Sequence, residues 1–289
     1  MRYLAFVLLL GAVACTTPQV SEPSSSSQKS QASPYADRIA AATTRLSTSD
    51  PARKVLRAID AMGGLENWYG NGPLYYHFDY QPLDGSTPRN TYVTNDYRSA
   101  KAVHLYAGDS TLRFGFDGQE AWSMTGEKVE GMSPRFWSLT PYYFVGLPFV
   151  LADAGINFAA LPPAELDGTI YDMVKVTFDA GTGDASGDYY VLYLNPNSGQ
   201  LDALRYVVTY PGYFPHGGST PEKLMVLTGK TTVGGVTLPT GYLTSMWNDG
   251  AVSGPVTRIT VSDYAFKPEL GDEFFARPVG ARVYNDLPE

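Results

Sequence analysis

YYVLYLNPNSGQLDALRYVVTY, residues 189–210, places two runs of alternating apolar side chains on either side of a five-residue cluster of turn formers. Tyr190, Leu192 and Leu194 stand two apart, as do Leu204, Tyr206 and Val208. Side chains of a strand alternate between its faces, so each set shares one face. Between them, Asn195-Pro196-Asn197-Ser198-Gly199 combines a fixed proline φ, side chains that bond their own backbone, and a glycine free to take positive φ. Two strands joined by so short a link pair antiparallel, because parallel strands need a long crossover.

The same pattern extends outward. Leu112, Phe114 and Phe116 alternate with Arg113 and Gly115, Asp117-Gly118 turns the chain, and Ala121-Trp122 begins the return. Val174, Val176 and Phe178 make a further strand. Gly234-Gly235 forms a tight hairpin between residues 227–233 and 236–243, and residues 257–264 close the series. Upstream, Asp50-Pro51 predicts a helix N-cap with proline at the first helical position. Val55, Leu56, Ile59 and Met62 recur at helical spacing until Gly63-Gly64. Aromatic residues make up 13% of the chain, 21 of them Tyr, which suits a β-rich core. The expected class is mainly β with a few helices, its strands in an antiparallel meander.

One stretch fits neither strand nor ordinary helix. RFWSLTPYYFVGLPFVLADAG, Arg135–Gly155, has no charge over the 17 residues from Phe136 to Ala152. That is short of the roughly 20 needed to span a bilayer. Pro141, Gly146 and Pro148 interrupt it, and proline removes ladder donors from a strand. Two short helical pieces are predicted, broken near Pro141 and Pro148, the second running through Phe149, Val150 and Leu151 to Gly155. The six aromatics between Phe136 and Phe149 exceed what one face of such pieces can display.

The chain opens with MRYLAFVLLLGAVAC. A basic residue, a short apolar run and small residues before Cys15 make residues 1–14 a signal peptide rather than a membrane span. Ala12-Val13-Ala14-Cys15 resembles the lipobox of bacterial lipoproteins, which implies a diacylglyceryl anchor on Cys15. The alternative is a plain signal with Cys15 unmodified. Thr16 is not the aspartate that holds some lipoproteins in the inner membrane, which points to the outer one. Residues 15–49 begin with Ser, Pro and Gln and little to bury, and are expected to be a lipidated flexible tether. Residues 50–289 then form a single domain.

Charge excludes several classes. The chain holds 21 Lys+Arg against 29 Asp+Glu, a net −8 that becomes −9 once Arg2 leaves with the signal. An acidic surface without basic clusters argues against nucleic acid. Nucleophile elbows, His-Glu-x-x-His, paired Cys-x-x-Cys and phosphate-cradling loops are all missing from the sequence. His77, His104 and His216 lie far apart with no metal-ligand spacing, and Asp117, Glu120 and Asp188 fall at turns. No catalytic, metal or cofactor residue is expected.

Taken in order, the helix with Gly63-Gly64 and Trp68, the Phe116–Trp122 segment FDGQEAW, the strand–turn–strand of residues 189–210, GGVTLP at 234–239 and LGDEFFARP at 270–278 resemble the LolA/LolB-like envelope proteins. The resemblance covers most of residues 50–278 and is close in layout to a group of bacterial lipoproteins in that class. It implies a curved antiparallel sheet, an incomplete barrel, capped by helices over an apolar cavity. It further implies a non-enzymatic role in binding lipid or the acyl chains of an acylated protein. On this reading Phe136, Trp137, Tyr142, Tyr143, Phe144 and Phe149 line or lid the cavity, with Phe114, Phe116 and Trp122 contributing from the sheet. The same residues could instead fill a solid core, leaving an envelope scaffold that offers partners an exposed loop such as residues 211–218, PGYFPHGG.

Overall fold

The computed structural model describes residues 34–124, 132–284 and 287. The signal, Cys15 and the first part of the tether fall outside them.

Among the described residues thirteen strands form one antiparallel sheet. They are β1 (Leu74–Pro82), β2 (Arg89–Asp96), β3 (Lys101–Tyr106), β4 (Asp109–Phe116), β5 (Ala121–Ser123), β6 (Ile156–Leu166), β7 (Thr169–Phe178), β8 (Tyr189–Leu194), β9 (Leu201–Val207), β10 (Lys223–Val233), β11 (Val236–Asn248), β12 (Ala251–Phe266) and β13 (Arg282–Tyr284). Their spatial order is β13-β5-β4-β3-β2-β1-β12-β11-β10-β9-β8-β7-β6, so two runs of hairpins meet where β1 pairs with β12. The sheet does not close on itself, leaving β13 and β6 as its edges.

Period-two alternation sorts the side chains as the sequence predicts. Val174, Val176, Tyr190, Leu192, Leu194, Leu204, Tyr206 and Met225 join the main core on one face. Their neighbours Met173, Val191, Tyr193, Ala203 and Leu224 form a smaller cluster on the other.

The helices cover the main face. They are α1 (Ala36–Leu46), α2 (Asp50–Ala61), α3 (Gly64–Gly70) and α4 (Pro134–Gly146) with a following 3-10 turn (Phe149–Ala152), whereas a short α5 (Asp272–Phe275) packs through Phe275 on the other face. Among the described residues no helix is long and apolar enough to cross a membrane. Three expectations need correction. The tether does not extend to residue 49: α1 is folded and buries Ala42 and Leu46 in the main core. Its alanine-rich sequence gives good helix propensity but a weak apolar signal. Helix α2 is capped by Ser49, whose Oγ accepts from the Ala52 N–H at 3.4 Å, one residue before the expected cap. And α4 runs through Pro141 unbroken, because that ring is buried against the sheet and tertiary packing offsets the lost hydrogen bond.

The glycine pairs noted in the sequence meet in space. Gly63, at φ +124, sits so close to the β10–β11 turn that a Cβ would lie 2.2 Å from the Gly235 carbonyl oxygen. The Thr237 N–H donates to the Met62 carbonyl at 2.7 Å, locking that hairpin to the end of α2.

Candidate functional site

The uncharged stretch lies along the core face of the sheet, held at both ends of α4 by polar contacts. Ser133 caps the helix, its Oγ accepting from the Phe136 N–H at 3.0 Å, and Pro134 takes the first helical turn. The Arg135 guanidinium donates to both Asp184 carboxylate oxygens at 2.5 and 2.8 Å, tying the helix start to the β7–β8 loop. At the far end the Tyr242 hydroxyl donates to the Phe144 carbonyl at 2.7 Å.

Between these clamps the six aromatics separate. Phe136 packs edge-on against Trp137 and touches Tyr210 and Tyr213, with ring centroids at 5.6, 5.1 and 5.0 Å. Trp137 meets Tyr80 at 5.0 Å and carries the Arg89 guanidinium 3.9 Å above its ring. Tyr142 stacks on Tyr97 at 4.5 Å, Tyr143 lies across Phe178 and Tyr190, and Phe144 meets Tyr206 at 5.2 Å. Phe149, in the 3-10 turn, is fully buried and stacks on Trp68 at 4.5 Å. Burial holds the Tyr142 phenol well above its ordinary pKa and raises that of Tyr143 to about 12.

The strand residues do not all join them. Phe114 and Phe116 face α4: Phe114 stacks on His104 at 4.5 Å, and Arg135 sits 4.9 Å over the Phe116 ring. Trp122 is on the opposite face. It pairs in register with Gly115, between the two phenylalanines, and is buried with Val103 and Phe275. A Cβ on Gly115 would lie 2.7 Å from the Trp122 ring, so the glycine makes room for the indole. Trp122 is therefore no part of an α4-facing site. Alternation across the turn carried that signal: Phe116 pairs with Ala121, which sends the next residue to the other side.

His104 is the buried polar centre of this face. Its Nε2 lies 3.3 Å from the Ser138 carbonyl oxygen and its Nδ1 3.3 Å from Thr91 Oγ1. A carbonyl only accepts, so Nε2 carries the proton and Nδ1 accepts from the threonine hydroxyl. Burial lowers its pKa to about 3, opposed only by the Ser138 carbonyl. The other histidines lie elsewhere: His77 contacts Asn90 Oδ1 at 2.5 Å and packs on Tyr92, while His216 is exposed in its loop. Among the described residues no three His, Cys, Asp or Glu side chains are grouped to hold a metal.

Two openings flank the segment. A cavity of about 10 Å³ lies between α4 and the sheet, lined by Phe78, Arg89, His104, Phe114, Trp137 and Pro141 among others. It holds one water at most. A groove of about 320 Å³ runs beside α1, the 3-10 turn and β6, with Leu46, Leu151, Ile156 and Phe158 on its walls and Arg45, Ser49 and Asp153 at its rim. Composition and periodicity give no sign of this groove, because the α1 sequence has the composition of a tether.

An open antiparallel sheet with one face covered by helices and an aromatic segment is the LolA-like fold. The chain superposes on a LolA superfamily protein from Nitrosomonas europaea with a TM-score of 0.51 at 12% identity, covering 79% of this chain and 99% of that one. A DUF1329 family protein from Desulfovibrio piger gives the same TM-score and identity over 79% of this chain and 98% of its own. At such identities the likeness is one of fold. No protein-family model and no curated sequence matches the chain.

Proposed function

We propose that the protein is a non-enzymatic lipoprotein of the bacterial cell envelope, anchored through Cys15 to the periplasmic side of the outer membrane, that takes a hydrophobic ligand between its sheet and the α4 segment. The ligand is a lipid or the acyl chains of an acylated protein. The observation that carries this reading is the segment itself. From Phe136 to Ala152 an uncharged, aromatic helix and turn cover the core face of an open sheet. Phe136, Trp137, Tyr142, Tyr143, Phe144, Phe149, Phe114 and Phe116 would meet the ligand when the segment shifts outward. The absence of a hydrolase motif from the sequence and the wide separation of the three histidines support a binding role over a catalytic one.

A second reading rests on the small size of the cavity beneath α4, about 10 Å³. With so little space the segment would be permanent core and the protein an envelope scaffold. Mass spectrometry of lipids extracted from natively purified protein separates the two. A carrier retains acyl lipid in near-stoichiometric amount, and a scaffold retains none and captures protein in a pull-down. Anchoring is tested by fractionation: Cys15→Ser should move the protein from membrane to soluble fractions, since a multiply acylated cysteine binds far more firmly than one chain. Equal partitioning of the two forms would remove the anchor.

A further inference from the structure

The open sheet has two unequal edges. At one end β13 is three residues long and pairs with a β5 of the same length, and so short a strand gives a neighbour little to pair with. At the other, β6 runs for 11 residues and is bonded to β7 on one side only. Its register against β7 shifts between Leu161 and Ala164, where Pro162-Pro163 stand, and prolines at a break in the ladder guard an edge against pairing. The residues before that guard, Ile156-Asn157-Phe158-Ala159-Ala160-Leu161, carry no charge and no proline. Half of the edge is thus protected and half is open.

Alternation fixes what the open half offers. The Asp179 N–H donates to the Gly155 carbonyl at 2.8 Å, beside the Ile156–Phe178 pair, so Gly155, Asn157 and Ala159 turn their backbone groups toward β7. Ile156, Phe158 and Ala160 turn theirs outward, where none of the described residues bonds to them. Their side chains stand opposite Phe178, Val176 and Val174 and share the main core face with them. On that face the groove of about 320 Å³ opens, with Ile156 and Phe158 in its wall together with Leu46, Ala52 and Leu151. An uncharged open edge beside apolar surface is a hazard unless a strand pairs with it. The groove also has a charge to offer. Asp153 is engaged by Arg38 at 2.7 Å, whereas the exposed Arg45 donates to the Ala152 carbonyl at 2.5 Å and forms no ion pair among the described residues. Arg45 lines the groove at the end where β6 begins.

We propose that the open half of β6 and the adjoining groove form a docking site for an extended segment of another protein, one with apolar side chains two apart and an acidic residue at its C-terminal end. The segment adds a strand to the sheet by main-chain hydrogen bonds and seats its apolar side chains in the groove. An antiparallel strand is the more stable addition and runs opposite to β6, which brings its C-terminal end and its carboxylate to Arg45. Directly opposed residues share a face, so the partner residues that bond to Ile156, Phe158 and Ala160 are those whose side chains enter the groove. This site is independent of any ligand beneath α4.

Fluorescence anisotropy of the purified full chain with a labelled peptide, Thr-Ile-Thr-Ile-Thr-Glu, tests it. The peptide should bind, and N-methylation of its isoleucines, which removes the ladder donors and keeps the side chains, should weaken binding roughly tenfold or more. Ala160→Pro takes away one outward N–H and spares the β7 ladder; it should lower affinity by about tenfold, with an unchanged circular dichroism spectrum showing that the variant is folded. Arg45→Gln should weaken the peptide by about two- to fivefold, the range of an exposed ion pair, and leave binding of the Gln-ended peptide as it was. No binding at millimolar peptide, or equal binding of the methylated peptide to the wild type, overturns the docking site. Equal binding of the Glu- and Gln-ended peptides to the wild type overturns the acidic partner. A dimer in sedimentation that Ala160→Pro dissolves assigns the edge to a second copy of this chain and overturns a foreign one.

Discussion

Phe149 and Phe136 belong to the same uncharged stretch, yet they end in different surroundings. Phe149 has no exposed surface and stacks on Trp68, which also touches Tyr97 at 4.2 Å; every neighbour is core. Phe136 is half-buried among Tyr210 and the exposed Tyr213, one residue from the tryptophan that carries Arg89. The far end of the segment is structural, and the near end is where exposed apolar surface meets a guanidinium with no carboxylate partner among the described residues. A single apolar run can therefore serve two purposes, and burial distinguishes them where hydrophobicity does not.

Four measurements break or sharpen that contrast. The largest effect should come from Phe149→Ala, which leaves a void under Trp68 and should cost about 3–5 kcal/mol in denaturant unfolding. A loss below 1 kcal/mol would mean that the far end is not core. Next comes acid. The folded-state pKa of His104 is about 3, below the 6.5 of an unperturbed imidazole. The unfolded chain alone takes up this proton between those values, so the contribution is complete above pH 6.5 and is lost as pH falls toward 3. At pH 4.5 the loss from this group should be about 2–3 kcal/mol. His104→Gln should flatten the profile in that window relative to wild type, and identical profiles would place the imidazole in contact with water. Third, Arg135→Gln removes the bidentate pair to Asp184, whose two side chains are 16% and 19% exposed. It should cost about 1–2 kcal/mol and weaken the hold on the start of α4. The smallest stability effect should belong to Phe136→Ala, under about 1 kcal/mol, in line with a partly exposed site. Its larger readout should be weaker binding of a fluorescent fatty acid. If Phe136→Ala destabilised the protein as much as Phe149→Ala, both ends would be core and the carrier reading would lose its entry point.

Much of the architecture could be read from local pattern. Strands β7 to β12 fall where period two and turn chemistry placed them, the Asn195–Gly199 turn and the Gly234-Gly235 hairpin included, because alternation and turn propensity act over only a few residues. The candidate site was legible in part. The aromatic stretch stood out, and its residues do lie along the core face, but Trp122 was assigned to the wrong side although the register of its own hairpin decides the matter. Helix α1 is not legible in the sequence because Ala42 and Leu46 supply little hydrophobicity until α2 and the 3-10 turn close around them. Pro141 reads as a break in the sequence because an isolated helix would break there.

The amino-acid order by itself determined strands β4, β5 and β7 to β12, that consecutive ones pair antiparallel, and that residues 136–152 are too short and too interrupted to span a membrane. Only the tertiary structure decided which ends of that stretch are sealed, that the Arg89 guanidinium lies over the Trp137 ring though the two are far apart in the chain, and that His104 is shut away from water. Strand and turn formation depend on neighbours along the chain. Burial, and with it the energy of a charge or a ring, depends on what the fold brings from elsewhere.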